Sequence, residues 1–317
     1  FYQLTTIMEQ KAPITSPNPI DPPTKSQLDE IGSLLNQTWD TYRQKLFSCI
    51  TVQLIPIVPG IILGIIITIL VLALVPTIQS TSGLLNTVLI IVAIIVGLLT
   101  ILGIIFLALW LQAALLVAIT DPENNNKPLN IYQKAIKYIF PLLWIGLITA
   151  LVSFPGYLFL IIPGVVITVW LQLATWIMID QNIHGFDALV KSKALIAGRW
   201  WDIFARFLII GIIVYLLNIV VGMIVMPITF LSAAFNLEFI ANIIQWLISI
   251  FITPFSLIYT YLIYKNLIAI KPDHTLPQLS KTWMIIFAII SIVIIIGILL
   301  VAFGLGAFGA LMSSNIF

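Results

Sequence analysis

The chain has 317 residues; 61% are hydrophobic and 8% charged, with a formal net charge of +2. A water-facing surface on a chain of this size needs far more charge, which excludes an ordinary soluble globular protein. The small net charge excludes a nucleic-acid partner, and the single cysteine, Cys49, excludes an internal disulfide.

Residues 1–28 carry Pro13, Pro17, Pro19, Pro22 and Pro23 among polar residues and read as an extended tail rather than a cleavable signal peptide. The tail is expected to be held against another chain or against the protein's own cytoplasmic face. Apolar runs follow at about 49–76, 84–119, 138–154, 161–179, 207–227, 239–264 and 283–311, seven candidate spans in all. The stretches Ile61–Val75, Val88–Leu111 and Ile285–Phe303 hold no charge. One charge at the centre of a spanning helix costs about 2.5–3.5 kcal/mol, so these runs suit a bilayer. A membrane β-barrel would show short alternating segments instead.

The second run is too long for one upright crossing, so it is expected to project from the bilayer or to bend near Gly97 or Gly103. Between the third and fourth runs, Pro155 and Pro163 are expected to end one helix and start the next. A tight hairpin is the favoured reading of Phe154–Gly164; a broken helix pair around a binding cavity is the other.

All 14 basic residues fall in four places. Lys11, Lys25, Arg43 and Lys45 precede the first span. Lys127, Lys134 and Lys137 lie between the second and third, Lys191, Lys193, Arg199 and Arg206 between the fourth and fifth, and Lys265, Lys271 and Lys281 between the sixth and seventh. The alternate loops and the C-terminus hold none. The positive-inside rule then predicts a cytoplasmic N-terminus and an external C-terminus.

The chain also repeats itself. Trp110-Leu-Gln opens a run that ends at Asp121, and Trp170-Leu-Gln opens one that ends at Asp180. Amphipathic segments precede the first, third and fifth spans. Their predicted apolar faces are Leu35, Trp39, Tyr42 and Leu46; Ile131, Tyr132, Ala135, Ile136 and Ile139; and Phe186, Val190, Ala194, Ala197, Trp201 and Phe204. They suit helices at the membrane interface, and equally helix extensions that pack on one another. The expected fold is an all-α integral membrane protein with about seven transmembrane helices. It consists of three parallel repeats of interfacial helix plus two spans, with one extra C-terminal span. The expected organisation is a Pro-rich tail (1–28), a six-span membrane domain of three helical-hairpin units (29–270), and a linker with a seventh helix (271–317).

Pro163, Gly164, Gly185, Ala188, Leu189, Ser192, Leu195, Gly198, Trp201 and Phe204, with the Thr253–Tyr264 end of the sixth span, form a pattern that resembles a broad prokaryotic family. Its members are six-span proteins often labelled as the membrane domain of glycerophosphoryl diester phosphodiesterase. The resemblance covers about residues 30–270 and implies a fold; the family has no common activity. Members often end the sixth span with an Asp-Leu-Arg-like sequence, where this chain has Asn266-Leu-Ile268, and no phosphodiesterase domain can be read after it.

Catalytic chemistry is hard to find. His184 and His274 lie far apart, no set of nucleophile, base and orienting group can be read, and no phosphate-binding glycine loop is present. Asp180 and His184 are near enough in sequence to pair, and a loop-capping contact is the favoured use. No enzyme activity, metal or cofactor is expected. Uncharged polar residues do recur at helical spacing. They are Gln112; Thr168, Gln172 and Thr175; Tyr215 and Asn218; and Asn242, Gln245, Ser249, Thr253, Ser256 and Thr260. Helix packing is the favoured use, and a path or cavity for a small amphiphile is the other. Gly60/Gly64 and Ala302/Gly306/Ala310 are small-residue faces expected to make close contacts. Lys134, Lys137, Lys191, Lys193, Arg199 and Arg206 are expected at lipid phosphates. The third amphipathic helix is expected to be held by its buried Trp201 more than by its charges.

The leading expectation is therefore a non-catalytic membrane scaffold or subunit. Its partners would be membrane lipids and a protein, or a second copy, met through the seventh helix and the tail. The second is a carrier or membrane-remodelling protein for lipids or other amphiphiles.

Overall fold

A computed structural model describes residues 27–80, 82–121, 128–234, 238–271 and 281–314. All regular structure among them is helical. The order is α1 (Ile31–Leu54), α2 (Ile57–Ser80), α3 (Leu84–Thr120), α4 (Pro128–Ala135), α5 (Ile139–Phe159), α6 (Ile161–Leu171), α7 (Ala174–Gln181), α8 (Gly185–Ile196), α9 (Trp200–Ala234), α10 (Glu238–Ile270) and α11 (Thr282–Ser314), with a 3-10 turn at Ile136–Tyr138. Seven helical stretches are long and apolar enough to cross a membrane. The amphipathic segments are α1, α4 and α8, each followed by two spans, and α11 stands last. The Pro-rich tail lies outside the described residues except for Gln27 and Leu28.

For the second span, expected to project or to bend, the structure shows no break. Helix α3 runs unbroken for 37 residues through Gly97 and Gly103, about 55 Å at about 1.5 Å per residue. In an apolar setting the backbone has no other hydrogen-bond partner, which outweighs the weak helix propensity of glycine.

Prolines are better tolerated than expected, for a reason that also builds the fold. A proline at position i+4 leaves carbonyl i without its helical N–H. Three such carbonyls are taken by side chains from other elements. Val52, freed by Pro56, accepts from the Tyr132 hydroxyl at 2.8 Å. Ile250, freed by Pro254 inside α10, accepts from Gln53 Nε2 at 2.8 Å. Leu151, freed by Pro155 inside α5, accepts from the Ser291 hydroxyl of α11. Contrary to expectation, then, Pro155 does not end its helix; α5 continues to Phe159. Each released carbonyl joins two elements: α1 with α4, α10 with α1, and α5 with α11.

The buried core lies at the end of the bundle that carries the basic residues. It joins Ala113–Ile119 of α3, Ala174–Ile179 of α7 and Ile258–Leu267 of α10 to the inner faces of α1, α4 and α8. The three amphipathic helices are thus packed into the protein. Lysines close two helix ends there, where the last carbonyls lack partners and the dipole favours a cation. Lys45 Nζ donates to Ile119 at 2.5 Å and Asp121 at 3.0 Å beyond the end of α3, and Lys271 Nζ to Leu195 and Ala197 at the end of α8.

All three predicted faces need correction. In the second, Ile136 is 56% exposed. On α1 the buried residues are Leu34, Thr38, Tyr42, Ser48, Cys49, Val52 and Gln53, whereas Trp39 is 46% exposed. The neighbours α3, α4 and α10 turn the helix away from its most aromatic face. The third amphipathic segment is also not one helix. Gly198 at φ +82° breaks it, a conformation that other L-residues rarely adopt. Trp201 then falls at the start of α9 and is 74% exposed. Trp200 takes the inward place, stacked on Phe204 with centroids 4.9 Å apart. Trp201 is no keystone.

Away from the core the spans are bare. Helix α2 buries no residue. The Gly60/Gly64 face borders a gap of about 380 Å³ between α2 and α3 instead of making a close contact. Helix α11 docks on α5 through Met284, Ala288 and Ser291, and its Ala302 is exposed; side chains beyond 305 lie outside the described set.

Candidate functional site

The hairpin of α5 and α6 is tight, as the favoured reading of Phe154–Gly164 expected. Leu160 alone links the helices. A Cβ on Gly156 would lie 2.9 Å from the Gly164 backbone, and one on Gly164 would lie 2.4 Å from the Tyr157 ring. Only glycines allow the helices to approach this closely. The approach also brings the Tyr157 hydroxyl to 2.8 Å from Thr168 Oγ1.

The helix break lies elsewhere, inside the fourth span. Helix α6 ends at Leu171 and α7 begins at Ala174. The Leu173 N–H donates to Ser192 Oγ at 3.2 Å, and Ser192 Oγ donates to the Trp170 carbonyl at 2.7 Å. Ser192 sits fully buried on α8. A broken helix at membrane depth needs such a substitute for its lost backbone bonds. Neither glycine nor proline marks this break in the sequence; a serine on a different helix meets its backbone groups.

The break faces a cavity of about 770 Å³ bounded by α3, α5, α6 and α7. Its polar lining includes Gln112, Ser153, Tyr157, Thr168, Gln172 and Thr175, and none of its lining residues is Asp, Glu, Lys, Arg or His. The rest is mainly aliphatic. The glutamines of the two Trp-Leu-Gln stretches therefore meet in one chamber. Thr168 also donates to its own helix at the Gly164 carbonyl, 2.9 Å away. Ser153 Oγ is buried with no hydrogen-bond partner among the described residues. Gln112 and Gln172 are exposed and make no side-chain hydrogen bond to another described residue. Ser153 and Tyr157 were not predicted; as a lone serine in an apolar span, Ser153 was the visible signal.

The other predicted polar positions do not join this cavity. Asn242 and Gln245 are exposed, and Thr253 is half-buried. Ser249, Ser256 and Thr260 donate to Trp246, Thr253 and Leu257 of their own helix at 2.6, 2.9 and 2.8 Å. Asn218 is exposed and donates to Val214 at 2.7 Å. The stripe on α10 thus mostly satisfies itself, although Thr260 also accepts from Trp176 Nε1 at 3.2 Å.

Below the cavity, toward the basic end, lies a second cleft of about 320 Å³ that includes Thr120, Asp121, Lys134, Lys137, Tyr138 and Asp180. Lys134 pairs with Asp121 at 2.9 Å. Asp180 is held by Lys265 at 2.9 Å and by the Tyr264 hydroxyl at 2.9 Å, so its partners are on α10, in place of the loop-capping contact expected of it. Lys137 is exposed and sits over the Tyr138 ring, 4.8 Å from its centroid.

Of the other predicted headgroup residues, Lys191 and Arg199 are half-exposed. Arg206 donates to the backbone carbonyls of Asp202 and Asp29 at 2.9 and 2.7 Å. Lys193 departs from expectation. Its ammonium lies between two indoles, 4.4 Å from the Trp170 centroid and 4.0 Å from that of Trp283. Burial pushes it below the ordinary lysine value, while the two ring faces favour the cation. Lys193 therefore ties α8 to α6 and α11. Among the described residues no three His, Cys, Asp or Glu side chains stand together as a metal site.

These features define the class: an all-α, multi-pass membrane protein with a polar-lined cavity where its first two repeats meet. No family model, no curated protein and no solved structure matches the chain.

Proposed function

We propose that the protein binds and carries a membrane amphiphile, with an uncharged hydrogen-bonding part of the ligand in the cavity between α3, α5, α6 and α7. The single observation that supports this is the convergence of unmatched polar groups. Gln112, Gln172 and the buried, unpartnered Ser153 face one chamber of about 770 Å³. A buried hydroxyl without a partner, as at Ser153, costs free energy unless water or a ligand meets it, and the exposed amides of Gln112 and Gln172 stand open to the same ligand. A chamber without charged lining suits ester, hydroxyl or amide groups on an apolar chain.

The test is lipid binding by the full chain in mild detergent, read as quenching of tryptophan fluorescence by brominated lipids. Gln112→Leu with Gln172→Leu should weaken quenching at least tenfold while leaving the folded yield unchanged. Unaltered quenching in a folded double variant refutes the reading.

A non-catalytic scaffold is the second reading, favoured by the bare apolar faces of α2 and outer α11. Cross-linking in native membranes separates the two, because a scaffold should give a defined partner through these faces. The proposal carries a location, the cytoplasmic membrane of a prokaryote with the N-terminus inside; the segregation of all 14 basic residues supports the orientation, and the family resemblance supports the prokaryotic membrane. It also carries a kinship to the glycerophosphoryl diester phosphodiesterase membrane-domain proteins, supported by the Gly185–Phe204 pattern.

A further inference from the structure

The cavity and the charged cleft lie about one helical turn apart along α3, along α7 and at the start of α5. Along α3 the lining passes from Gln112 to Val117 and Thr120. On the α7 side it passes from Thr175 to Ile179, and at the start of α5 from Leu142 back to Tyr138. These steps are four or five residues each, about 6–8 Å at about 1.5 Å per residue. One molecule can therefore have groups in both. The upper chamber offers hydrogen bonds and apolar walls without charge, whereas the lower cleft is charged.

The charges in the cleft do not cancel. Asp121 is matched by Lys134 and Asp180 by Lys265, each at 2.9 Å. Lys137 makes no ion pair with a described residue, and its ammonium is held at the cleft wall over the Tyr138 ring. Among the described residues, the cleft thus presents one positive charge without an acidic partner next to a chamber for an uncharged linkage and a chain.

Resting on the binding function proposed above, we infer that the ligand is a phospholipid with an anionic headgroup, its phosphate at Lys137 and its ester linkage in the cavity beside Gln112, Ser153 and Gln172. The order of chemistry along these helices matches that of the molecule: anion, hydrogen-bond acceptors, hydrocarbon. A free phosphate would satisfy Lys137 and leave the chamber unmet. An uncharged diglyceride would do the reverse.

The experiment titrates the full chain in mild detergent with brominated-chain phosphatidylglycerol, with diacylglycerol bearing the same chains, and with inorganic phosphate as competitor. Phosphatidylglycerol should bind about fivefold more tightly than diacylglycerol, the effect of about 1 kcal/mol per basic residue at an anionic lipid. Lys137→Gln should abolish that difference and Lys137→Arg should keep it. Gln112→Leu with Gln172→Leu should weaken both lipids. Equal binding of the two lipids, untouched by Lys137→Gln, overturns the headgroup assignment and leaves the cavity reading intact. No effect of the double glutamine variant on either lipid overturns the cavity reading and this inference with it. Displacement of phosphatidylglycerol by equimolar inorganic phosphate identifies a free anion as the ligand and overturns the lipid.

Discussion

Replacing Gln53 by leucine should destabilise the protein, and the cost should depend on a proline about 200 residues away. Gln53 is 6% exposed, and its amide donates at 2.8 Å to the Ile250 carbonyl, which Pro254 deprives of a helical partner. Leucine keeps the volume and removes the donor. The Ile250 carbonyl is then left buried without a bond, at a cost of about 1–3 kcal/mol. Taking about 2 kcal/mol and roughly 2–4 °C per kcal/mol for a large domain, Tm should fall by roughly 4–8 °C. Thermal unfolding in detergent, followed by tryptophan fluorescence, measures it. The discriminating step is to repeat the substitution in a Pro254→Ala background. Alanine restores an N–H four residues after Ile250, so the backbone can take the carbonyl, and the cost of Gln53→Leu should fall by at least half. If the two substitutions add within about 0.5 kcal/mol, the side chain is not standing in for the missing backbone bond, and the account of how the prolines join the helices fails.

Other outcomes follow from the same contacts. Ser192→Ala orphans the Leu173 N–H and the Trp170 carbonyl at the helix break, and should cost about 2–4 kcal/mol in the same melting assay; a loss below about 0.5 kcal/mol would mean that the break does not need the serine. Trp200→Ala, which removes an inward ring stacked on Phe204, should lower the melting temperature clearly, whereas Trp201→Ala, at 74% exposure, should stay within about 0.5 kcal/mol. The reverse order would restore Trp201 as the anchor. Lys193→Met removes two cation–π contacts at 4.4 and 4.0 Å; with each worth about 0.5–1 kcal/mol, amide exchange at the start of α11 should speed up about tenfold, and unchanged exchange would show that Lys193 does not hold the seventh helix. Single cysteines at Ser80 and Leu158, with Cys49 replaced, should react with an impermeant reagent from outside, while those at Lys134 and Lys191 should not; the reverse pattern would invert the topology.

Much of the architecture was legible because it depends on composition along the chain. Uncharged apolar runs must leave water, so seven spans could be counted, and α1, α4 and α8 announced themselves by their helical spacing. Orientation of those helices was less legible. The most aromatic face of α1 looked like its buried face, yet Trp39 is half exposed and Leu34 and Thr38 face inward. Periodicity identifies an amphipathic helix; the neighbours decide which side of it is buried. Gly198 was visible in the sequence, but a lone glycine does not reveal a positive φ, so Trp201 was assigned to a face that the chain turns away from.

The candidate site divides in the same way. Sequence alone singled out Gln112, Thr168, Gln172 and Thr175, because polar residues are rare in apolar spans and the Trp-Leu-Gln repeat marks two of them. It singled out the α10 stripe equally, since spacing cannot distinguish a hydroxyl bonded to its own helix from one facing a cavity. Only the tertiary structure decided that Gln112 and Gln172 share a chamber with Ser153, while Ser249, Ser256 and Thr260 turn to their own backbone. Only it showed that the fourth span breaks at Gln172–Leu173, because the group that meets the break is Ser192, 19 residues beyond Leu173 on another helix. The same holds for Gln53 and the Ile250 carbonyl, 197 residues apart. Whether a residue leaves water is governed by its local run of chemistry, which a sequence records. Whether a polar group is satisfied depends on which distant group folding brings within about 3 Å, and that distance exists only in the folded chain.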